Sequence, residues 1–327
     1  MFASSTLRKF RSALFLVCAP FAIAAATPAV EEPLQQADQL ASQGRFQEAE
    51  RLLERARASA AKENREYSEA MILNALGRLY EREEKYLPAQ EAFEGSVSML
   101  THAKGENDPG LIQPLNNLSE LLFEAGQYSQ AEKAVRRNLA IRQAMGENDI
   151  ETGAEMGVLG KIYLRERKFA LARQTAEDSL KILAKDGVPD GLPAAVDYAI
   201  LGAVDSRNNR SESAEQSCAR SLSILEKVLN PRDYRIGEAL ANLGFLYDIE
   251  GAPDKAEPLL ERAHDFFLAT ALNSRFSREF LLRWAEIERK AGRGKKAKDL
   301  AKEATALKSA SPEEALSRYV IDANAFR

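Results

Sequence analysis

Leu73-Asn74-Ala75-Leu76-Gly77-Arg78-Leu79-Tyr80 and, after a polar break, Tyr86-Leu87-Pro88-Ala89 decide the fold. Leu73, Leu76, Leu79 and Tyr80 fall three to four residues apart, which predicts a helix with one buried stripe. Leu240, Leu243, Leu246 and Tyr247 repeat that pattern. Working outward from Ala89, an alanine returns in matching contexts at Ala49, Ala131, Ala172, Ala214, Ala256 and Ala297, in steps of 40 to 42 residues. Twelve residues before each stands a small residue: Ala37, Gly77, Ser119, Gly160, Gly202, Gly244 and Ala285. Two small residues at this spacing predict paired helices whose backbones approach closely. Five residues before the alanine stand Gly44, Gly126, Gly251 and Gly292, with Asn209 once; Gly and Asn can take the left-handed turn that ends a helix. Glu84 and Arg167 depart from that slot. A second helix follows, Tyr86 to Leu100 or Tyr128 to Ile141. One pair buries only part of its apolar surface, so the pairs must stack.

Leu76-Gly77-x-x-Tyr80 with Tyr86 and Ala89, Leu159-Gly160-x-x-Tyr163 with Phe169 and Ala172, and Leu243-Gly244-x-x-Tyr247 with Ala256 resemble the tetratricopeptide repeat. The period exceeds the usual 34 by about eight residues, and such long repeats resemble those of kinesin light chains. The resemblance implies an all-α solenoid, a right-handed superhelix of seven helix pairs. The expected units are 30–69, 70–111, 112–152, 153–194, 195–236, 237–277 and 278–309. Two copies are weak. The first carries Pro33 and Gln36, as a terminal repeat can. The fifth carries Asp205 and Ser211 where aromatics are common; a carboxylate there is either near the surface or paired, for instance with Arg207, or else a functional acid or the mark of a softer joint in the stack. Ser311-Pro312-Glu313-Glu314 reads as a helix start, giving a capping helix to Ile321 and a tail, within 310–327.

Residues 1–26 read as a cleavable signal peptide. Arg8, Lys9 and Arg11 precede an apolar run from Ala13 to Ala26 that is too short to span a bilayer. Cleavage is expected after Ala26, with Ala24 as the second candidate, and export to a periplasm before secretion. Removing the three cations takes the net charge from −4 to −7. Val17 is the wrong residue before a lipidated cysteine, which disfavours a lipoprotein at Cys18. The mature chain then keeps one cysteine, Cys218, and has no internal disulfide.

The chain has 327 residues, 45 % hydrophobic and 29 % charged, with two Cys and two His. That is globular composition. It excludes a disulfide scaffold and a multi-cysteine zinc site, and the acidic balance excludes a general nucleic-acid binder. Ser59-Ala60-Ala61-Lys62 lacks the partner motifs of an acylating enzyme, and Gly292-Arg293-Gly294-Lys295-Lys296 lacks phosphate-loop spacing. His102 and His264 have no ligand partner at metal spacing. Cys218 and Trp284 read as core. No catalytic set, cofactor or metal is expected.

The expected function is binding, by a non-catalytic scaffold. In tetratricopeptide stacks the first helices line the concave side. Asn74, Asn116, Asn117 and Asn242 stand beside the anchor leucines. In kinesin-light-chain-like repeats, asparagines in such slots reach a bound peptide's backbone; here they either do so or face water and tie repeats together. A second column holds Arg78, Arg82, Lys161, Arg165 and Arg207, with Glu120 and Glu124 between; it is either a mixed solvated face or a surface for an acidic peptide, a C-terminal carboxylate or another anion. A third feature is the basic stretch Arg289, Lys290, Arg293, Lys295, Lys296 and Lys298. The expected partner is a protein or peptide segment. Two other classes stay open: a self-associating structural solenoid of the envelope and, less favoured, an enzyme whose site only the fold assembles.

Overall fold

The computed structural model describes residues 28–269 and 275–307. The signal segment, Cys18 and the capping helix lie outside the described residues. Those described fold into fourteen α-helices with no strand among them: α1 Pro28–Ser42, α2 Phe46–Lys62, α3 Glu66–Arg82, α4 Tyr86–Lys104, α5 Ile112–Glu124, α6 Tyr128–Met145, α7 Ile150–Arg165, α8 Phe169–Lys185, α9 Leu192–Arg207, α10 Ser211–Val228, α11 Tyr234–Ile249, α12 Pro253–Ala269, α13 Arg275–Lys290 and α14 Gly294–Ala306. They form an all-α solenoid of seven antiparallel pairs. Two compact units divide the chain, Met1–Asp108 and Pro109–Arg327. In the first, α1 to α4 pack around Leu53, Ile72, Leu76 and Leu79. In the second, each pair from α5/α6 to α13/α14 packs on the next.

The pairs close where the small residues are. Ala49, Ala89, Ala131, Ala172, Ala214 and Ala256 are wholly buried, and Ala297 nearly so. Opposite them, a Cβ added at Gly77 would lie 2.5 Å from the Phe93 ring, one at Gly244 2.8 Å from Leu260, and one at Gly202 would collide with Cys218 Sγ. A second-helix side chain then ties each of four pairs to a first-helix carbonyl 26 residues earlier. Ser96 donates to Ala70 (2.7 Å), Asn138 to Ile112 (3.1 Å), Ser179 to Gly153 (3.0 Å) and Ser221 to Ala195 (2.7 Å).

All seven turns inside the pairs share one geometry. Gly44, Glu84, Gly126, Arg167, Asn209, Gly251 and Gly292 all have positive φ, including 63° at Glu84 and 60° at Arg167. In each, the following N–H donates to the carbonyl five residues back, as Lys85 does to Tyr80 and Lys168 to Tyr163, both within 2.9 Å. Glu84 and Arg167 therefore keep the turn despite lacking glycine's freedom, because the packed pair imposes it. The second helices extend one turn beyond Leu100 and Ile141, to Lys104 and Met145, and stop at Gly105 and Gly146, which take positive φ.

The tyrosine near the end of several first helices reaches the second helix of the pair before. Tyr80 donates to Glu50 (2.9 Å), Tyr247 donates to Glu215 (2.7 Å), and Tyr163 accepts from Arg136 (2.8 Å). Asp205 fills the same slot in the fifth pair. It is buried and ion-paired, but Arg207 is not its partner. Arg173 of α8 and Arg210 (3.6 Å) hold it, while Arg207 turns away over the Phe169 ring. The weak repeat thus exchanges a phenol for a salt link in the same joint.

Candidate functional site

Side chains on the first helices that are not spent on pairing form the candidate face. In the first unit, Asn74 is buried and Arg82 exposed. Arg78 of α3 donates to both Asp38 oxygens of α1, at 3.1 and 3.3 Å. These three expected site residues belong to a unit of their own.

The second unit brings the others together on α5, α7, α9 and α11. Asn116 is half-buried; Asn117 and Asn242 are buried, and Asn117 Oδ1 accepts from Gln113 (3.1 Å). Phe123 lies beneath two cations: Lys161 Nζ is 5.2 Å and the Arg165 guanidinium 5.8 Å from its ring centre. Arg207 lies 5.6 Å from the centre of Phe169. Arginine on an aromatic face keeps its N–H edge available to a ligand. Further along, Arg283 lies 4.0 Å from the centre of Phe245. There Asp248, Ile249, Arg283, Glu286, Ile287 and Lys290 line an open cleft of about 250 Å³.

Sequence reasoning missed the buried acids of the first helices. Glu155 of α7 is 2 % exposed, Asp197 of α9 is 0 % and Glu238 of α11 is buried. Their signal was a carboxylate inside an apolar run, such as Asp197 between Ala195 and Ile200. Burial, with Glu120 nearby, pushes the Glu155 carboxyl up to about 8, against the opposing pull of Arg142 and Lys161. Burial also raises Glu120 and takes Glu238 well above the carboxylate range. Lys161 is only 8 % exposed; burial lowers it, while Glu120, Glu124 and Glu238 pull it back up.

Asp197 is raised by burial as well. Ser179 Oγ lies 3.0 Å from the Gly153 carbonyl and 2.6 Å from Asp197 Oδ2. One hydroxyl has one hydrogen to give. With the serine donating to the carbonyl, a protonated Asp197 donates to the serine. Oδ1 of Asp197 and Oε1 of Glu155 are buried without a hydrogen-bond partner.

The basic stretch near α14 is largely neutralised by α12 and α13. Arg293 pairs with Glu288, Asp254 (3.3 Å) and Glu257 (3.7 Å), and Lys296 with Glu257 (2.6 Å) and Glu261 (2.7 Å). Lys290 and Arg289 lie 3.6 and 3.9 Å from Glu286, whereas Lys295 and Lys298 are exposed. Trp284 is core and donates to buried Glu288 (2.8 Å). His264 meets Glu303 (2.8 Å) and His102 meets Glu66 (3.1 Å). Burial pushes the Cys218 thiol up to about 12, which suppresses thiolate chemistry at neutral pH. Among the described residues no group of His, Cys, Asp and Glu could hold a metal ion, and no helix is long and apolar enough to cross a membrane.

A family model described as the tetratricopeptide repeat matches residues 30–102, 70–144, 110–185 and 193–269. The chain belongs to the tetratricopeptide-repeat family. No curated protein matches it in sequence. Its fold is similar to several solved tetratricopeptide structures. One is a repeat protein from Parabacteroides merdae, with 17 % identity, TM-score 0.62 and coverage of 89 % of this chain and 98 % of that one. Another comprises the nearly identical repeats of a putative kinesin light chain from Podosopora anserina (20 %, 0.53, 61 % and 95 %). A third is a Rap protein complexed with competence and sporulation factor (14 %, 0.59, 86 % and 77 %). These likenesses place the long tetratricopeptide repeats here beside kinesin-light-chain and Rap folds. The fold is one typical of protein–protein interaction.

Proposed function

We propose that this tetratricopeptide protein is a non-catalytic adaptor. It would be exported by its basic-apolar leader and would hold a peptide segment or partner protein on the first-helix face of its second unit. The observation that carries this reading is Arg207, half-exposed and laid on Phe169, with the aromatic-backed Lys161 and Arg165 on the neighbouring first helix. An arginine that is held by a ring rather than spent on a neighbouring acid presents a preorganised donor edge. Solenoids use such extended faces for recognition, and a Rap protein of the same fold is known in complex with a factor.

The test is crosslinking in cells with the tagged protein, followed by mass spectrometry, beside a variant carrying Asn116→Ala, Arg165→Ala and Arg207→Ala. Helicity by circular dichroism verifies that the variant folds. Partners captured by the wild type and lost by the variant support the reading. Partners retained by both, or capture of this chain alone, refute it; the latter favours a self-associating solenoid.

A further inference from the structure

The cleft between the last turns of α11 and α13 breaks the pattern of the repeats before it. Asp248 stands one residue past the tyrosine slot, where Phe123, Leu164 and Ser206 stand in the three preceding pairs of this unit, all of them buried. Phe123 is roofed by Lys161 and Arg165 of the next first helix. Asp248 is half-buried and lines a hollow of about 250 Å³ instead. Ile249 lines the same hollow, 45 % exposed, in the slot that holds Glu124, Arg165 and Arg207 in those pairs. The opposite wall is buried Ile287 with Arg283, Glu286 and Lys290 of α13. The cations of that wall are committed. Arg283 lies 4.0 Å from the centre of the Phe245 ring; Lys290 sits 3.6 Å from Glu286, which Arg289 also approaches at 3.9 Å. Asp248 has no hydrogen bond or ion pair among the described residues. One unmatched carboxylate and one exposed aliphatic side chain share a single concavity.

We infer that the α11/α13 cleft takes a basic side chain of a bound polypeptide, with its cationic head against Asp248 and its aliphatic stem along Ile249. The inference rests on the adaptor reading above in taking a polypeptide as the partner. It adds a second contact point, on other first helices than Arg207 and with the opposite charge preference. A basic side chain meets both features at once, because its stem is apolar and its head carries several donors. A purely aliphatic occupant would cover Ile249 but strip water from the carboxylate without replacing it. An acidic occupant would bring like charge against Asp248 and Glu286. The basic one turns the unmatched acid into a charge-assisted hydrogen bond in a site that already excludes part of the solvent.

The probe is the blocked peptide acetyl-Ala-Ala-Lys-Ala-Ala-amide. It is compared with the same peptide carrying norleucine (stem without charge), 2,3-diaminopropionate (charge with a short stem) or glutamate in place of the lysine. Isoleucine-methyl NMR of the full chain gives the affinity and, through Ile249 and Ile287, the place of binding; the other isoleucine methyls verify that each variant folds. The proteins are the wild type, Asp248→Asn, Ile249→Ser and Arg207→Ala. The lysine peptide is expected to shift the methyls of Ile249 and Ile287. Its affinity should fall about tenfold in Asp248→Asn, the loss of one charge-assisted contact, and norleucine should cost the same in the wild type. The short stem and Ile249→Ser should each weaken binding several-fold, and Arg207→Ala should leave it unchanged. Equal affinity of the lysine peptide for wild type and Asp248→Asn overturns the inference. So does norleucine or glutamate binding as tightly as lysine, or unmoved Ile249 and Ile287 methyls at the highest soluble peptide concentration. If the cleft fails in any of these ways while crosslinked partners are still lost from the Asn116/Arg165/Arg207 variant, only the cleft's occupant is wrong and the adaptor reading stands. If the lysine peptide binds as expected while that variant keeps its partners, the Arg207 face is wrong and the cleft stands.

Discussion

Gly77→Ala tests the close approach within a helix pair. Two effects of opposite sign compete. Alanine in a helix interior is favoured over glycine by about 0.8–1.0 kcal/mol. The new Cβ, however, would lie 2.5 Å from Cδ1 and Cε1 and 3.0 Å from Cζ of Phe93, a ring with no exposed surface. The contact is with the body of a rigid side chain, which gives way only by moving α4 away from α3. Overpacking costs about 1–3 kcal/mol, and a 2.5 Å approach to a buried rigid ring belongs in the upper half of that range, so a net loss of about 1–2 kcal/mol is expected. Solenoids unfold in segments rather than all at once. The direct assay is therefore amide hydrogen exchange over residues 66–104, with urea unfolding followed by circular dichroism. Phe93→Val in the same chain should relieve the collision, since Val135 already fills that slot opposite Ser119 in the third pair. The double variant is expected to be more stable than the sum of the singles by about 1 kcal/mol. A Gly77→Ala protein as stable as the wild type or more so, or singles that simply add, would refute the steric account.

Stability should fall as pH rises from about 5 to 8. Glu155, held near 8 in the fold against an ordinary value of 4.5, keeps a proton that the unfolded chain has lost. Asp197 and Glu238, also raised, act in the same direction. The folded state then binds more protons, and each such group removes at most about 1.4 kcal/mol per pH unit. Thermal unfolding across that range checks the sign, and Glu155→Gln with Asp197→Asn should flatten the slope; a midpoint that rises with pH contradicts it. Arg293→Ala withdraws the cation from Glu288, which is 0 % exposed. About 2–3 kcal/mol of local stability should go, read by the fluorescence of adjacent Trp284, and Glu288→Gln should restore part of it. Gly126→Val places a β-branched residue at φ 73° and should cost about 1–2 kcal/mol. Arg167→Gly should be neutral or mildly stabilising, because Arg167 already adopts that conformation; urea midpoints separate the two.

Local pattern made the helix pairs legible. Ala89 and its six counterparts are buried because a 12-residue offset across a turn fixes which small residues meet, and that offset is written along one stretch of chain. The turn slots were partly legible: Gly and Asn announced five, whereas Glu84 and Arg167 needed the packed pair to reveal them. The site was harder to read, because its partners lie a repeat or more apart. Asp205 meets Arg173, 32 residues away, rather than the nearer Arg207. The basic run ending at Lys298 looked unbalanced in sequence, yet Lys296 is neutralised by Glu261, 35 residues earlier. Periodicity identified the face on which Lys161 lies. It did not show that Glu155 of α7 and Glu238 of α11 would be buried.

Cys218 gives the fifth pair a built-in clock. Its sulfur fills the space over Gly202, so a thiol reagent can reach it only when α9 and α10 part. The rate at which Cys218 itself is labelled in native buffer, read from its peptide mass, therefore counts separations of that pair without any introduced probe. It is the pair whose joint to its predecessor is made by Asp205 and Arg173 instead of a tyrosine. Comparing the labelling rate before and after Arg173→Ala would turn that substitution into a measured difference in how often the array opens at its middle.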